Sequence, residues 1–120
     1  GTDMDVFDAA AVPEGYRLQL TPEEVADNGM FGPLHLWLDA QVAAGTAEGF
    51  YRPYDADRGG VAVERWHLSF APAAQQCESL LDMNLLEDAL KGAGLVLCDA
   101  VLDNLPDLVE RYVLVPAAPA

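Results

Sequence analysis

The sequence predicts an α+β domain in which a small antiparallel sheet packs on one main helix and a helical extension follows at the C-terminus. Short segments before Pro72 alternate apolar and polar side chains, which is typical of strands. One longer amphipathic segment lies between them, and beyond Pro72 apolar residues recur at steps of three and four. We therefore expect residues 1–72 to hold the sheet and residues 73–120 to form helices packed on the same domain.

The clearest predicted strand begins near Trp66. Large apolar side chains alternate there with small or polar ones: Trp66, Leu68 and Phe70 against His67, Ser69 and Ala71. This period of two predicts that one face lies in the core and that His67 projects from the other. An earlier segment, residues 1–8, alternates in the same way. Its acidic residues lie on one side and its apolar residues on the other: Asp3 and Asp5 against Met4 and Val6.

If these two strands share a sheet, Asp5 and His67 project from one face, and Glu64 lies in the turn that enters the second strand. Carboxylate and neutral imidazole suit Zn²⁺, and a nearby free carboxylate is the base that a metal-activated water needs. A Glu-x-x-His pair also arises by chance, so a surface or hydrogen-bonded histidine is the alternative. Because residues three apart on a strand face opposite ways, we expect Glu64 to lie outside regular strand geometry.

The segment after the first strand predicts a turn-rich connection, then a short strand and a short helix. Residues 16–20 alternate apolar and polar side chains, which favours a strand. Thr21 can cap the following helix, Pro22 suits its first position, and Glu24 completes a capping box. The Asn28-Gly29 pair ends this helix.

Residues 30–44 predict the main helix, which we expect to pack against the sheet. Apolar side chains recur at helical spacing: Phe31, Leu34, Trp37, Leu38 and Val42. Pro33 stands near the start of the segment and Gly45 just after its end. We expect the aromatic stripe to be core. His35, on the flank of this helix, is either a surface or supporting group or a third metal ligand.

Residues 50–54 predict another strand, followed by a polar loop at residues 55–60. The loop contains Asp-x-Asp and a following glycine, but it lacks the glutamate and the helix pair of a calcium loop. A hairpin connection that leads into Glu64 is the better interpretation. Arg52 has two readings: a group that binds the carboxylate of a substrate, or a surface partner for the many acidic residues.

The region after Pro72 predicts four helices with a structural role. They span residues 73–81, 84–91, 95–104 and 107–112, punctuated by Gly92, Gly94 and Pro106. One predicted packed face contains Leu80, Leu81, Leu85, Leu86, Ala89 and Leu90. A second contains Leu95, Val96, Val101, Leu102, Leu105, Leu108 and Val109. Residues 115–120 are predicted to be a tail.

Composition excludes several classes of partner. The chain has 120 residues, 52% of them apolar, and a formal net charge of −14. Six basic residues against twenty acidic ones cannot form a phosphate-binding patch, which argues against nucleic acid and anionic membrane surfaces. No apolar run reaches the roughly 18 residues that span a bilayer, so we expect no membrane insertion.

Two cysteines, Cys77 and Cys98, lie in helical surroundings without a CxxC spacing. We expect free, buried thiols that act as small hydrophobes. A disulfide is the alternative in an exported protein.

The spacing Gly1-x-x-x-Asp5, followed much later by Glu64-x-Trp66-His67 at the start of a strand, resembles a known family. It is similar to the zinc D-Ala-D-Ala carboxypeptidases and dipeptidases, bacterial cell-wall peptidases that share a fold with the hedgehog signalling domain and lysostaphin-type enzymes. Their pattern is Ser-x-His-x-x-Gly-x-x-x-Asp and then Glu-x-Trp-His. The run Phe50 to Tyr54 also looks like the family strand before the second motif, and the resemblance extends to about Pro72.

The resemblance implies a zinc-dependent hydrolase that acts on a peptidoglycan stem peptide ending in D-Ala, or on another small peptide. It implies Asp5 and His67 as zinc ligands and Glu64 as the catalytic base. Trp66 is expected in the core behind the site, where it would fix the orientation of His67, and Ser69 is expected beside it. Periplasmic or cell-envelope and cytoplasmic locations both fit such an enzyme.

The family's first histidine ligand would lie seven residues before Asp5, ahead of Gly1. The resemblance therefore implies that these residues are the C-terminal part of a larger metallopeptidase and are poorly active alone, because a catalytic zinc site needs three protein ligands. One alternative is a non-catalytic binding or interaction module on the same fold. Another is a homo-oligomer, formed through the helical extension, in which Asp5 and His67 of neighbouring chains recruit metal.

Overall fold

The α+β class is confirmed in the computed structural model, which describes residues 1–114 and residue 119. A three-stranded antiparallel sheet holds β1 (Asp3–Asp5), β2 (Phe50–Tyr51) and β3 (His67–Phe70) in the order β1-β3-β2. The connection from β2 to β3 is the expected hairpin. The predicted tail, residues 115–120, lies outside the described residues except for Pro119.

Strand register divides the sheet into two faces. Asp5 lies opposite His67 and Asp3 opposite Ser69, so these four residues share one face. Met4 and its partner Leu68 lie on the other face. The expectation that the first strand and the His67 strand share a sheet is confirmed.

The predicted strand at residues 16–20 is wrong. The Glu24 carboxylate accepts hydrogen bonds from the Tyr16 hydroxyl at 2.6 Å, the Gln19 amide at 3.2 Å and the Thr21 amide at 3.1 Å. These donors wrap the segment around one side chain, and Leu20 adopts a φ of 55°, outside strand geometry. The hydrogen bond from Tyr16 also holds the pKa of Glu24 below its usual value.

The predicted capping box at the first helix is present. Helix α1 spans Pro22–Val25, and Glu24 at its third position bonds back to the Thr21 amide. Both Glu24 and Val25 are buried. The helix is short, as expected, and ends before Asn28.

Helix α2 spans Gly32–Ala43 and lies within the predicted segment. The expected aromatic core stripe is only partly right, because Phe31 is fully buried whereas Trp37 is 57% exposed. The buried face of this helix instead includes His35, whose side chain is completely enclosed. Between α2 and the Met4–Leu68 face lies an open apolar groove of about 350 Å³, and Trp37 stands in its wall.

Asp39, Arg52 and Arg65 form a network that we call the Asp39 clamp. Arg65 places Nε at 3.1 Å and Nη2 at 2.6 Å from Asp39 Oδ2. Its Nη1 reaches the Val25 carbonyl at 2.6 Å and Asp27 Oδ1 at 2.8 Å. Arg52 Nη2 lies 2.8 Å from the other oxygen of Asp39. Asp39 of α2 thus connects the residue after β2 with the turn before β3, and Arg65 extends the network to α1.

The four predicted C-terminal helices are present, the last in two parts. They are α3 (Ala71–Leu80), α4 (Met83–Gly92), α5 (Cys98–Asp103), and α6 (Leu105–Leu108) continued by a π-helical turn (Val109–Val113). Helix α3 starts directly after β3 because Pro72 suits the first turn of a helix. None of the helices in the described part of the chain is long and apolar enough to cross a bilayer.

The predicted packed faces of this helical region are only partly buried. Leu105 and Val109 are in the core, but Leu80 is 75% exposed and Val96 is 99% exposed. The radius of gyration is 17.0 Å, against about 14 Å for a compact domain of this length. The fold is therefore less compact than a globular domain of this length, and apolar periodicity alone did not reveal which leucines meet a partner element.

Both cysteines are free thiols, as expected. The expectation that they are buried is wrong for Cys77, which is exposed, and Cys98 is half-buried.

Replacing Arg65 tests the clamp. A lysine keeps the charge but cannot reach Asp39, Asp27 and the Val25 carbonyl together, so Arg65→Lys should lower the free energy of unfolding by about 1–3 kcal/mol. Arg58→Lys is the matched control, because Arg58 bonds within its own exposed loop, to Asp55 and to the Ala56 carbonyl, and its replacement should change stability by less than about 0.5 kcal/mol. Urea unfolding measures both. If Arg65→Lys lowers the free energy of unfolding no more than Arg58→Lys does, the clamp does not stabilise the fold beyond an ordinary surface ion pair.

The buried His35 predicts acid sensitivity. Burial, with Arg52 and Arg65 nearby, lowers the pKa of His35 to about 4. Below about pH 6.5 His35 becomes protonated in the unfolded chain but stays neutral in the folded protein. The free energy of unfolding should therefore fall as the pH is lowered from 6.5 toward 4. Thermal unfolding at several pH values should show a smaller loss over this window in His35→Leu than in the wild type. An identical pH profile in both would contradict the buried, neutral state of His35.

Candidate metal centre

Two adjacent strands bring the first two candidate ligands together. In the antiparallel register His67 stands directly across from Asp5. The short distance between the pair, 2.8 Å from His67 Nδ1 to Asp5 Oδ1, is that of a hydrogen bond. The His67 side chain is 21% exposed and that of Asp5 46%, so solvent and small ligands can reach both.

Glu64 joins the pair from the turn before β3. The strand begins at His67, so Glu64 lies outside it, as expected. Two backbone bonds fix the turn: the Glu64 amide donates to the Tyr54 carbonyl at 3.0 Å, and the His67 amide donates to the Glu64 carbonyl at 3.2 Å. The carboxylate then reaches back, with Oε2 at 3.8 Å from His67 Nδ1.

Two residues that the sequence analysis did not place in the site also contact His67. Asp3 Oδ1 lies 3.9 Å from His67 Nε2, and the Tyr54 ring centroid is 4.9 Å from that of the imidazole. The alternation of the first strand already put Asp3 on the side of Asp5, so that signal was present. The strand predicted at residues 50–54 ends at Tyr51, so Tyr54 reaches His67 from the loop and not by strand alternation.

Trp66 was expected in the core behind the site, but it does not lie there. It is half-buried in the turn, because the strand starts one residue later and the alternation does not include it. Its carbonyl accepts a hydrogen bond from the Val6 amide at 3.0 Å, which extends the pairing with β1.

Ser69 lies on the same sheet face as His67, between Asp3 and Tyr51 in the register, and is 1% exposed. It lies directly across from Tyr51 in the register. Burial raises the pKa of the Tyr51 phenol and Ser69 lowers this pKa by less, so the phenol stays protonated.

Arg52 pairs with Asp39 in the clamp rather than with any residue of this site. Its side chain is 9% exposed. An acidic partner was one of its two predicted interpretations, although Arg52 itself is buried while the side chain of Asp39 is 42% exposed.

The donor set fits part of a zinc site. Asp5 Oδ1 and His67 Nδ1 face each other at 2.8 Å, and Glu64 Oε2 lies 3.8 Å from the same nitrogen. Within residues 1–114 and 119, however, no three His, Cys, Asp or Glu side chains are grouped as a metal ion requires. His35 therefore does not complete a triad with Asp5 and His67. A catalytic zinc site needs one further protein ligand.

A cleft of about 210 Å³ opens beside this group. Its walls include Asp3, Tyr51, Tyr54, Ser69, Glu78 and Tyr112. Three phenol rings and two carboxylates thus surround a space next to His67. The C-terminal π-helical turn supplies Tyr112, so the helical region forms part of the cleft.

No protein family model matches the chain, and no solved structure matches it. An uncharacterised protein of Haemophilus influenzae is 28% identical over 116 residues, which is 95% of this chain and 86% of that protein. The similarity covers both the sheet and the C-terminal helices, and its description assigns no activity.

The geometry predicts the tautomer of His67. Because Nδ1 faces two carboxylates, at 2.8 Å from Asp5 and 3.8 Å from Glu64, the neutral ring should carry its proton on Nδ1. Long-range ¹H–¹⁵N spectra of the metal-free protein distinguish the tautomers directly. Asp5→Asn should shift the population away from the Nδ1-protonated form. An Nε2-protonated ring in the wild type would contradict the pairing.

Proposed function

We propose that this chain carries part of the active site of a zinc metallopeptidase with the hedgehog/DD-peptidase fold, which hydrolyses a D-Ala-terminated cell-wall peptide. One observation carries the proposal: the carboxylate of Asp5, 62 positions before His67, lies 2.8 Å from His67 Nδ1, and the carboxylate of Glu64 lies 3.8 Å from the same nitrogen. They are the residues that the resemblance assigns to metal binding and to the catalytic base.

Each side chain has a distinct task. Asp5 and His67 would hold the metal, and a bound Zn²⁺ polarises a carbonyl and makes water acidic. Glu64, fixed by its turn, accepts the proton of the attacking water and returns it to the leaving amine. Since Asp5 and Glu64 both face Nδ1 of His67 in the metal-free protein, the ring proton would have to move to Nε2 before Nδ1 could hold a metal ion.

The adjoining cleft is where we place the substrate. Its tyrosine rings offer flat apolar surface to a small peptide, and Ser69 lines it beside Tyr51. Asp3 also lines the cleft and lies on the Nε2 side of His67. The space, about 210 Å³, suits a short peptide end rather than a folded protein.

The proposal requires a third ligand that these residues do not supply. We expect calorimetry to give weak zinc binding for residues 1–120, and at least about a hundredfold tighter one-to-one binding when a Ser-x-His-x-x segment is added before Gly1. A Ser-x-Ala-x-x segment is the matched control. Equal affinity with histidine and alanine would reject the zinc site.

Glu64→Gln separates the base from the ligands. In the histidine-extended chain this change should leave zinc affinity within about threefold, because Glu64 is not a ligand, and should lower hydrolysis of a D-Ala-D-Ala peptide by at least about a hundredfold. Asp5→Asn should instead weaken zinc binding. A Glu64→Gln protein that loses zinc, or that keeps its turnover, would contradict the assigned role.

The second candidate is a non-catalytic interaction module. The exposed apolar residues of the helical region favour it, notably Leu80 at 75%, Val96 at 99% and Leu97 at 70% exposure. A homo-oligomer through these helices would make zinc binding depend on protein concentration. Light scattering with and without zinc separates a monomeric peptidase site from such an assembly.

A further inference from the structure

The apolar groove between α2 and the sheet lies on the sheet face that does not carry His67. Met4 and Leu68 pair across β1 and β3 on this face, and both line the groove. Trp37 lines it from α2. Its volume of about 350 Å³ is at the lower end of the range of small-molecule sites. The groove is therefore a second space of ligand size, away from the candidate metal centre.

Large apolar side chains are open to solvent in this groove. Trp37 is 57% exposed and Met4 is 46% exposed, and they line the same space. Apolar surface that is contiguous in this way commonly marks a ligand groove or an interface. An apolar ligand that covered these two side chains would gain the free energy of removing them from water.

The loop between α2 and β2 forms part of the groove and is held in place by its own hydrogen bonds. The Thr46 amide donates to the Gln41 carbonyl at 2.9 Å, and the Thr46 hydroxyl donates to Gln41 Oε1 at 2.8 Å. The Phe50 amide donates to the Ala47 carbonyl at 2.9 Å. All four residues line the groove. Because this part of the wall is already ordered, a ligand would bind without the entropy cost of fixing the loop.

Glu48 gives the groove a negative charge. Among the described residues that line it, Glu48 is the charged one. Its carboxylate forms no hydrogen bond or ion pair with residues 1–114 or with Pro119. Its backbone has a φ of 50°, where a glycine would be less strained. The chain as a whole carries a net charge of −14, so a cation should enter the groove more readily than a neutral molecule, and an anion least readily.

We propose that this groove binds a small organic cation with an apolar tail, such as a protonated primary alkylamine. The tail covers Trp37 and Leu68, and the ammonium group pairs with the Glu48 carboxylate. A fatty acid with the same tail would bring two negative charges together. The site is separate from the metal centre and does not depend on the proposed hydrolysis.

Titrating the ¹⁵N-labelled protein with hexylammonium chloride at low, constant ionic strength tests the site. The Trp37 indole N–H and the Gln41 and Leu68 amides should shift along one saturable curve. 1-Hexanol, which has the same tail without the charge, should bind about two- to fivefold more weakly, as expected for the loss of one exposed ion pair. Hexanoate should bind more weakly still. Butylammonium should bind about tenfold more weakly than hexylammonium, because it buries two fewer methylene groups.

Three variants assign the charge and the tail to their residues. Glu48→Gln should remove the preference for hexylammonium over hexanol and leave the affinity for hexanol within about twofold. Glu14→Gln is the matched control, since Glu14 is an exposed acid that does not line the groove, and it should keep the preference. Trp37→Ala should weaken the binding of both molecules by at least about fivefold.

If Trp37→Ala fails to fold, the exposed Glu48→Gln change carries the test. Absent saturation in the wild type, equal or tighter binding of hexanol or hexanoate, or an unchanged preference in Glu48→Gln would overturn the proposal. Shifts of the Trp37 and Leu68 signals on dilution of the ligand-free protein would assign the groove to a second copy of the chain, and this result would overturn it as well.

Discussion

The Asp39 carboxylate is the group on which the rest of the structure depends. It stands on α2 and binds Arg65 through one oxygen and Arg52 through the other. Arg65 directly follows Glu64, so fixing its guanidinium also fixes the turn that carries Glu64 and starts the His67 strand. A clamp between α2 and this turn determines where the candidate site can form.

The sheet alone could not hold the candidate site in position. Its strands have two to four residues, and so small a sheet is marginal in water without packing against a helix. Helix α2 leaves an apolar groove of about 350 Å³ against the sheet instead of a filled interface. Polar contacts therefore carry much of the connection between helix and sheet. They cost desolvation, which is visible in the unpartnered donors of Arg52 and the enclosed, neutral His35.

Much of this was predictable where chemistry is local in sequence. The capping box at Thr21, the C-terminal helices and the placement of Asp5 opposite His67 follow from side-chain identity and alternation. The errors arose where contacts with residues outside the segment determine its local structure. Glu24 recruited the donors of residues 16–20 that a strand would have used, and the strand began one residue after Trp66. Trp37 was exposed because Asp39 and His35 set which side of α2 faces inward. No pattern within a segment carries that information.

Hydrogen exchange at the turn, compared between the wild type and Asp39→Asn, tests the role of the clamp most directly. The Glu64 amide donates to Tyr54 and the His67 amide to Glu64, whereas the Phe70 amide donates to Thr2 at the far end of β3. If the clamp holds the turn, the Glu64 and His67 amides should exchange at least about tenfold faster in the variant, with Phe70 much less affected. Unchanged rates at the turn, or one common factor for all three amides, would contradict the claim that Asp39 positions the site.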